Sequence, residues 1–405
     1  MSKWEEKRLE DIIDVNPPVK LKKGESYPFI DIDKVSPTRR SVTNEEVKVY
    51  DGQSSSKFCD GDTVFSRITP CLENRKIAKV AIEGDAAFGS TEFYVFRAKK
   101  KKADARFTYY LTSSDAVVLP AINSMTGASG RQRADKRFIQ RLKLNLPDLP
   151  TQERIADILS AYDDLIEANN HRIELLEQTA QELYREWFVR FRFPGYENAK
   201  FEDGIPEGWS YVRFGKAIDI IDGDRGVNYP KQEEFYPEGD CLFLNAGNVT
   251  SKGFNFSACS YITKEKDSIL RKGKLQHGDV VLTTRGTVGN VAFYNETMTF
   301  SEMRINSGMV ILRNLGVVSP EYIYTSLHHE YLQKLMTMYA SGSAQPQLPI
   351  KDMKRMKIIK PDAKTMERFT EMSADIYNQI SLLIMKNQTL AKQRDMLLPR
   401  LMSGK

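Results

Sequence analysis

The stretch from Pro150 to Phe191 leaves the chain few options. Its apolar positions step alternately by four and three, through Ile155, Leu159, Tyr162, Ile166, Asn169, Ile173, Leu176, Ala180, Leu183 and Trp187. A seven-residue apolar repeat held for about five heptads lays one stripe along a helix, and that stripe asks for a partner helix rather than a globular core. No Gly or Pro interrupts it before Pro194-Gly195. At about 1.5 Å per residue, Glu153 to Trp187 makes a rod of roughly 50 Å. Pro150 marks its boundary, and Thr151, followed by Glu153 and Arg154, is the expected start. A rod of this length in mid-chain is a spacer.

The whole chain has 405 residues, enough for two or three domains. With 41% hydrophobic and 28% charged residues it reads as a folded, soluble protein. No run of about 18 apolar residues is present, so no membrane span is expected. MSKWEEKRLEDIID lacks the apolar centre of a signal peptide, and a cytoplasmic location is the expectation. Cys59, Cys71, Cys241 and Cys259 are scattered, with no C-x-x-C and no His at ligand spacing. They read as reduced thiols, not as disulfides or a metal site. Net charge is +5 and uneven: residues 1–150 hold 27 basic against 21 acidic residues, and 351–405 hold 12 against 6. Such a chain can touch nucleic acid but would not coat it unaided.

The sequence repeats itself. Trp4 and Trp209 open two similar halves, and Gly61-Asp62-Thr-Val-Phe-Ser-Arg67 is echoed by Gly278-Asp279-Val-Val-Leu-Thr-Thr-Arg285. Gly127 with Gln132 matches Gly342 with Gln347 at equal spacing, and KLNLPDLPTQERI from Lys143 matches KIIKPDAKTMERF from Lys357. The period is about 205 to 217 residues, and each half is a globular unit followed by a long helix. The second helix carries Phe369, Ser373, Ile376, Ile380, Leu383, Asn387, Leu390, Arg394, Leu397 and Leu401 on its seam. Ser373 and Arg394 depart from a clean apolar stripe. Asn169 and Asn387 are polar interruptions of the kind that fix register. The first helical block is acidic and the second slightly basic, which favours their pairing. Antiparallel pairing would put the globular units at opposite ends of one rod.

The expected fold class is α+β: two similar α/β domains separated by two long helices forming an antiparallel coiled coil. Its parts are a first domain over 1–149, a central helix over 150–195, a second domain over 196–360 and a C-terminal helix over 361–405. Strands are expected at 61–67, 76–82, 92–98, 279–283, 290–294 and 308–313, and helices at 104–119 and 319–340. The Gly- and Pro-rich segment KFEDGIPEGW at 200–209 is a linker.

Catalytic chemistry does not assemble from these residues. Asn16-Pro17-Pro18-Val19 lacks the aromatic of an amino-methyltransferase motif, and no Gly-rich loop precedes it, so it reads as a turn. Gly286-Thr-Val-Gly289 has too few glycines to cradle phosphate. Pro147-Asp148 and Pro361-Asp362 lack the acidic-x-Lys element of a nuclease. His171, His277, His328 and His329 form no triad and no ligand set.

A polar, basic vocabulary remains. Arg67 leads into Asn74, Arg75 and Lys76, and the loop after Gly127 carries Arg131, Gln132 and Arg133. Their counterparts are Arg285 and Thr287, then Gln345 and Gln347. Arg pairs bidentately with guanine, and Gln or Asn with adenine, so these eleven residues are candidate DNA contacts. One scaffold bearing two sets of side chains should read two different half-sites. The apolar residues Ile158, Leu165 and Leu175 lie off the seam and need cover from a partner.

LPTQERIADILSAYDDLIEANNHRIELLEQTAQELYREWF in the middle, KQRDMLLPRLMSG at the end, the linker GIPEGW and the two-fold repeat together resemble the specificity subunits of type I restriction–modification enzymes. The resemblance covers essentially the whole chain. It implies two target-recognition domains on paired antiparallel helices, double-stranded DNA as ligand, two docked methyltransferase subunits, and restriction subunits in the full complex. It also implies no catalysis and no cofactor in this chain: S-adenosylmethionine, and ATP with Mg for restriction, belong to the partner subunits. Two major-groove contacts on one duplex face lie about 34–36 Å, or 10–10.5 base pairs, apart. With about four base pairs per half-site, that leaves an unspecified gap of roughly six or seven. The alternative is a coiled-coil adaptor that binds other proteins through its two globular domains.

Overall fold

The computed structural model describes residues 4–404 apart from Thr38, Glu45, Ser129, Ser301, Ser343 and Ala344. It divides into two compact units, residues 1–167 with 389–405 and residues 168–388.

The first unit is built on a five-stranded sheet ordered Ile13–Val15, Phe93–Ala98, Thr63–Ser66, Ile77–Val80 and Ser41–Val42. Both faces of its central strands are buried, which is why they read as unbroken apolar runs. Phe65, Ile77, Tyr94 and Phe96 turn to one side with Phe107 and Leu111 of the helix Ala105–Ser113. Val64, Ala78, Val80, Phe93 and Val95 turn to the other, with Ile30, Phe58 and Ala87 of a smaller sheet. Phe65 and Phe96 meet edge to face at 5.1 Å. Each such ring removed from water contributes about 1.5–3 kcal/mol.

The second unit repeats this plan with a four-stranded main sheet, which among the described residues lacks a counterpart of Ser41–Val42. Its main sheet runs Ile218–Asp222, Met309–Asn314, Asp279–Thr283, Val291–Tyr294. Its smaller sheet repeats even the parallel pair, Leu244 with Ile305 where the first unit has Ile30 with Gly89. In both units the opening strand pairs with the one preceding a long helix, Trp4–Arg8 with Lys143–Pro147 and Ser210–Arg213 with Lys357–Lys360. The repeated Gly-Asp pair is framework. Asp62 is buried and ion-paired with Arg97 at 2.6 Å, and Asp279 is held likewise by Arg313 at 2.7 Å.

All six expected strands are present. The expected helices at 104–119 and 319–340 are each broken in two, at Ser114 and at His329. Asn16 makes the expected turn: its φ is +56°, and Val95 N–H donates to its side chain at 2.9 Å. The linker contains a two-rung hairpin, Phe201 with Pro206 and Glu202 with Ile205.

The first long helix runs Leu149–Tyr184 and the second Ala363–Ser403. The first begins before Thr151, because Asp148 is its cap: Thr151 N–H donates to Asp148 Oδ1 at 3.2 Å. Asp362 caps the second in the same way, accepting from Thr365 N–H at 3.0 Å and from the Trp209 indole at 2.9 Å. Both Pro-Asp pairs are therefore helix starts. In the second unit Asn169 donates to Asn387 at 2.7 Å, and Asn387 donates to Asn170 at 2.9 Å. Arg172 meets Gln379 at 3.1 Å, so partner numbers fall as the first helix advances and the pairing is antiparallel. In the first unit Ile155, Ala156 and Leu159 share a core with Leu397, Leu398 and Leu401. The two seam departures have local reasons: Ser373 is fully buried with its hydroxyl on the Phe369 carbonyl at 2.6 Å, and Arg394 is paired with buried Asp163. At Arg185–Val189 the helix widens to a π turn, and Trp187 and Phe188 are buried as consecutive residues.

Candidate nucleic-acid interface

In the first unit the strand Thr63–Ser66 runs out into Arg67, Ile68 and Thr69, and a second loop is stitched across it. Thr69 N–H donates to the Gln132 carbonyl at 3.0 Å, Gln132 N–H to the Thr69 hydroxyl at 3.1 Å, and Ala134 N–H to the Arg67 carbonyl at 2.8 Å. Arg133 and Thr126 exchange backbone bonds of 2.9 and 3.0 Å. Gly127 turns this loop at φ +126°, where a side chain would be strained and would crowd the Arg131 carbonyl.

The side chains above this rung form one ionic cluster. Arg133 forks onto Glu92 at 2.9 and 2.6 Å, and Arg67 Nε reaches the same carboxylate at 3.2 Å. The Arg67 guanidinium lies 5.5 Å from the Tyr94 ring centre, and the Tyr94 hydroxyl donates to the Ala134 carbonyl at 2.7 Å. Arg133 holds the Glu92 carboxyl below the usual carboxylate range; partial burial opposes this and Arg67 adds to it.

The second unit builds the same rung from different residues. Arg285 is bridged to Gln347, and Ser341 and Gln347 exchange bonds of 2.9 and 2.8 Å. Gly286 N–H donates to the Pro346 carbonyl at 3.1 Å, and Leu348 N–H to the Thr284 carbonyl at 2.9 Å. Gly342, at φ +101°, makes the turn. These bridges put Gln347 in the place of Arg133 and Arg285 in the place of Ile68. Equal spacing from the glycine had matched Gln347 to Gln132, so the first loop is one residue longer than spacing alone implies.

The strand alignment also places Gly308 where the first unit has Glu92. Gly308 has no side chain to offer; its carbonyl accepts from the backbone N–H of Thr284 at 2.8 Å and of Arg285 at 3.2 Å, and from the Thr284 hydroxyl at 3.1 Å. Arg285 Nε is buried without a partner. Thus Arg67, Glu92 and Arg133 in one unit stand where Thr284, Gly308 and Gln347 stand in the other. Glu92 and Gly308 escaped the reading of the sequence, although each directly precedes a strand of the repeat, Phe93–Ala98 and Met309–Asn314.

The remaining candidates scatter. Lys76 points inward to the Ile32 carbonyl at 2.9 Å, and Arg75 binds the Ser113 carbonyl at 3.1 Å and Asp115. Their charges thus hold the framework, away from the Arg67–Arg133 cluster. Asn74, Arg131, Thr287, Gln345 and Gln347 are exposed, and Gln132 is half-buried. Ser129, Ser343 and Ala344 of the two loops lie outside the described residues. Ile158, Leu165 and Leu175 are 44%, 38% and 49% exposed. Among the described residues no cluster of His, Cys, Asp and Glu could hold a metal, and no helix is long and apolar enough to cross a membrane.

Two stretches, residues 1–178 and 206–389, match the type I restriction modification DNA specificity domain. The chain belongs to that family. A specificity subunit of this kind recognises DNA targets. The MjaIX specificity subunit of Methanocaldococcus jannaschii is 23% identical, over 99% of this chain and 93% of its own length. The HindI specificity subunit of Haemophilus influenzae is also 23% identical, over 88% and 89%. The crystal structure of a type I restriction-modification S subunit from M. genitalium has the same fold, with a TM-score of 0.53 and 14% identity over 99% of this chain and 96% of that one.

Proposed function

We propose that this chain is the sequence-recognition subunit of a type I restriction–modification complex, each globular unit reading one half of a two-part DNA target. The observation that carries this is the shared rung, which presents Arg133 in one unit and Gln347 in the other. Arg suits the acceptor edge of guanine and Gln the donor–acceptor edge of adenine, so one scaffold can select different bases. Residues 1–149 and 196–360 are the two target-recognition domains, and the helical segments 150–195 and 361–405 set the gap between half-sites. Joining two weak readers on one chain makes the second contact intramolecular and multiplies selectivity. Exposed Ile158, Leu165 and Leu175 dock the two methyltransferase subunits. Those subunits supply the methyl donor and the chemistry, restriction subunits add cleavage, and this chain contributes no catalysis.

The test is genome-wide mapping of methylated adenines in cells expressing the methyltransferase partner with and without this chain. The expected result is methylation that depends on the chain and falls on two short specified parts around a fixed gap of roughly six or seven base pairs. Methylation independent of the chain, or a single uninterrupted target, would overturn the proposal.

A further inference from the structure

The segment Gly223–Tyr229, after the edge strand Ile218–Asp222, was not among the candidate reading loops. Both its ends are fixed. A Cβ on Gly223 would lie 2.2 Å from the Asn306 carbonyl oxygen, so the backbone presses directly on that turn. The Asp224 carboxylate accepts from the backbone N–H groups of Arg225 at 2.8 Å, Arg271 at 2.6 Å and Lys272 at 3.4 Å. At the far end Tyr229 meets Phe243 edge on at 5.7 Å, and Pro230 is buried.

Between these anchors the tip is bare. Val227 is 96% exposed. An apolar side chain held there gains nothing from folding and is free to meet a ligand. Arg225 stands beside it, donating to Asp222 at 3.1 Å and to the Ser307 carbonyl at 3.4 Å. Arg225 also lines a cleft of about 240 Å³ whose other walls include Thr284, Gln347 and Lys351. The loop and the reading rung of the second unit therefore share one cleft. Among the described residues of the first unit no such tip follows the strand Ile13–Val15: Asn16 folds back, its N–H donating to the Val95 carbonyl at 2.7 Å.

We propose that Arg225 and Val227 are specificity-determining residues of the second unit, Arg225 addressing a purine acceptor edge and Val227 a thymine methyl group in the major groove, where both features are displayed. This rests on the reading of the second unit as a DNA-binding domain. The test maps methylated sites for the complete complex carrying Arg225→Ala, Arg225→Lys or Val227→Ser, beside Gln347→Ala. Arg225→Ala and Val227→Ser should each relax selection at one base pair, by roughly 5- to 150-fold, within the half-site that Gln347→Ala alters. Arg225→Lys keeps the charge without the fork and should relax the same position as Arg225→Ala. Three results overturn the proposal. If only Gln347→Ala changes the half-site, the tip reads nothing while the second unit still reads DNA. If Gln347→Ala also changes nothing, the underlying reading fails as well. If Arg225→Ala weakens methylation evenly at all sites, its partner is phosphate and not a base.

Discussion

Arg133 grips Glu92 with one edge of its guanidinium, Nε at 2.9 Å and Nη2 at 2.6 Å. A carboxylate beside a candidate DNA-binding arginine reduces attraction to phosphate, so its value lies in aim. A planar Arg held in a fork approaches a base edge in one orientation, at little further entropic cost. The second unit, with Gly308 in place of Glu92, presents a Gln that needs no counter-charge.

Replacing Glu92 by Gln should therefore raise affinity for arbitrary DNA and blur one half-site. It should also change the acid stability of the protein in a defined direction. The Glu92 carboxyl is lowered in the folded state, chiefly by Arg133. A lowered carboxyl stabilises the fold above its unfolded pKa, and that contribution is lost as pH falls through the folded pKa. Melting curves of wild type and Glu92→Gln should thus differ near neutral pH and converge as pH drops below the ordinary carboxylate range, about 4.3 for Glu. A difference that grows on acidification would contradict this assignment.

Within the first unit, Asp163 joins three elements. It accepts from the Tyr110 hydroxyl at 2.5 Å and pairs with Arg394 of the second long helix, while itself only 3% exposed. Arg394→Met should leave a buried carboxylate with one partner and destabilise the unit by about 2–4 kcal/mol, somewhat less than a fully buried pair because Arg394 is partly solvated. The double variant Asp163→Leu with Arg394→Met should recover most of that loss. Urea denaturation of the four proteins in this cycle measures it. A single variant no worse than the double would show that the pair is not coupled.

The exposed apolar residues of the first long helix can be tested without disturbing the seam. Leu165→Asp and Leu175→Asp change side chains that already face solvent, so the melting temperature should stay within about 2–3 °C of wild type, as surface changes usually do. Co-purification with the methyltransferase partner should be lost. An undiminished complex from the double variant would move docking to another surface.

Much of this architecture was legible because its signals are periodic. The heptad seam, the repeat of about 205–217 residues and the doubly buried strands each recur, and recurrence survives without coordinates. The smaller sheets were missed because Ser26–Ile30 carries Pro28 and is not an unbroken apolar run, Ala87–Gly89 has only three residues, and their pairing joins residues about 60 apart. The helix start was displaced for a different reason: Asp148 competes with Thr151 as cap, and Pro150 is well placed in a first turn. For the candidate site, composition singled out the loops as candidates but not their geometry. Lys76 and Arg75 look like Arg133 in a sequence; only the fold sends them to Ile32, Ser113 and Asp115. The one-residue difference in loop length, which exchanges Gln132 for Arg133 as the counterpart of Gln347, needed the backbone bridges to be seen.

We propose independence of the two units, each reading its own half-site from equivalent positions. It is tested most directly by mapping methylated sites for Arg133→Ala and Gln347→Ala, each in the complete complex with its methyltransferase partner. Arg133→Ala should relax base selection in one half-site, Gln347→Ala in the other, and neither should alter the gap. Altered selection in both halves from either single variant, or in neither half from both, would contradict the account.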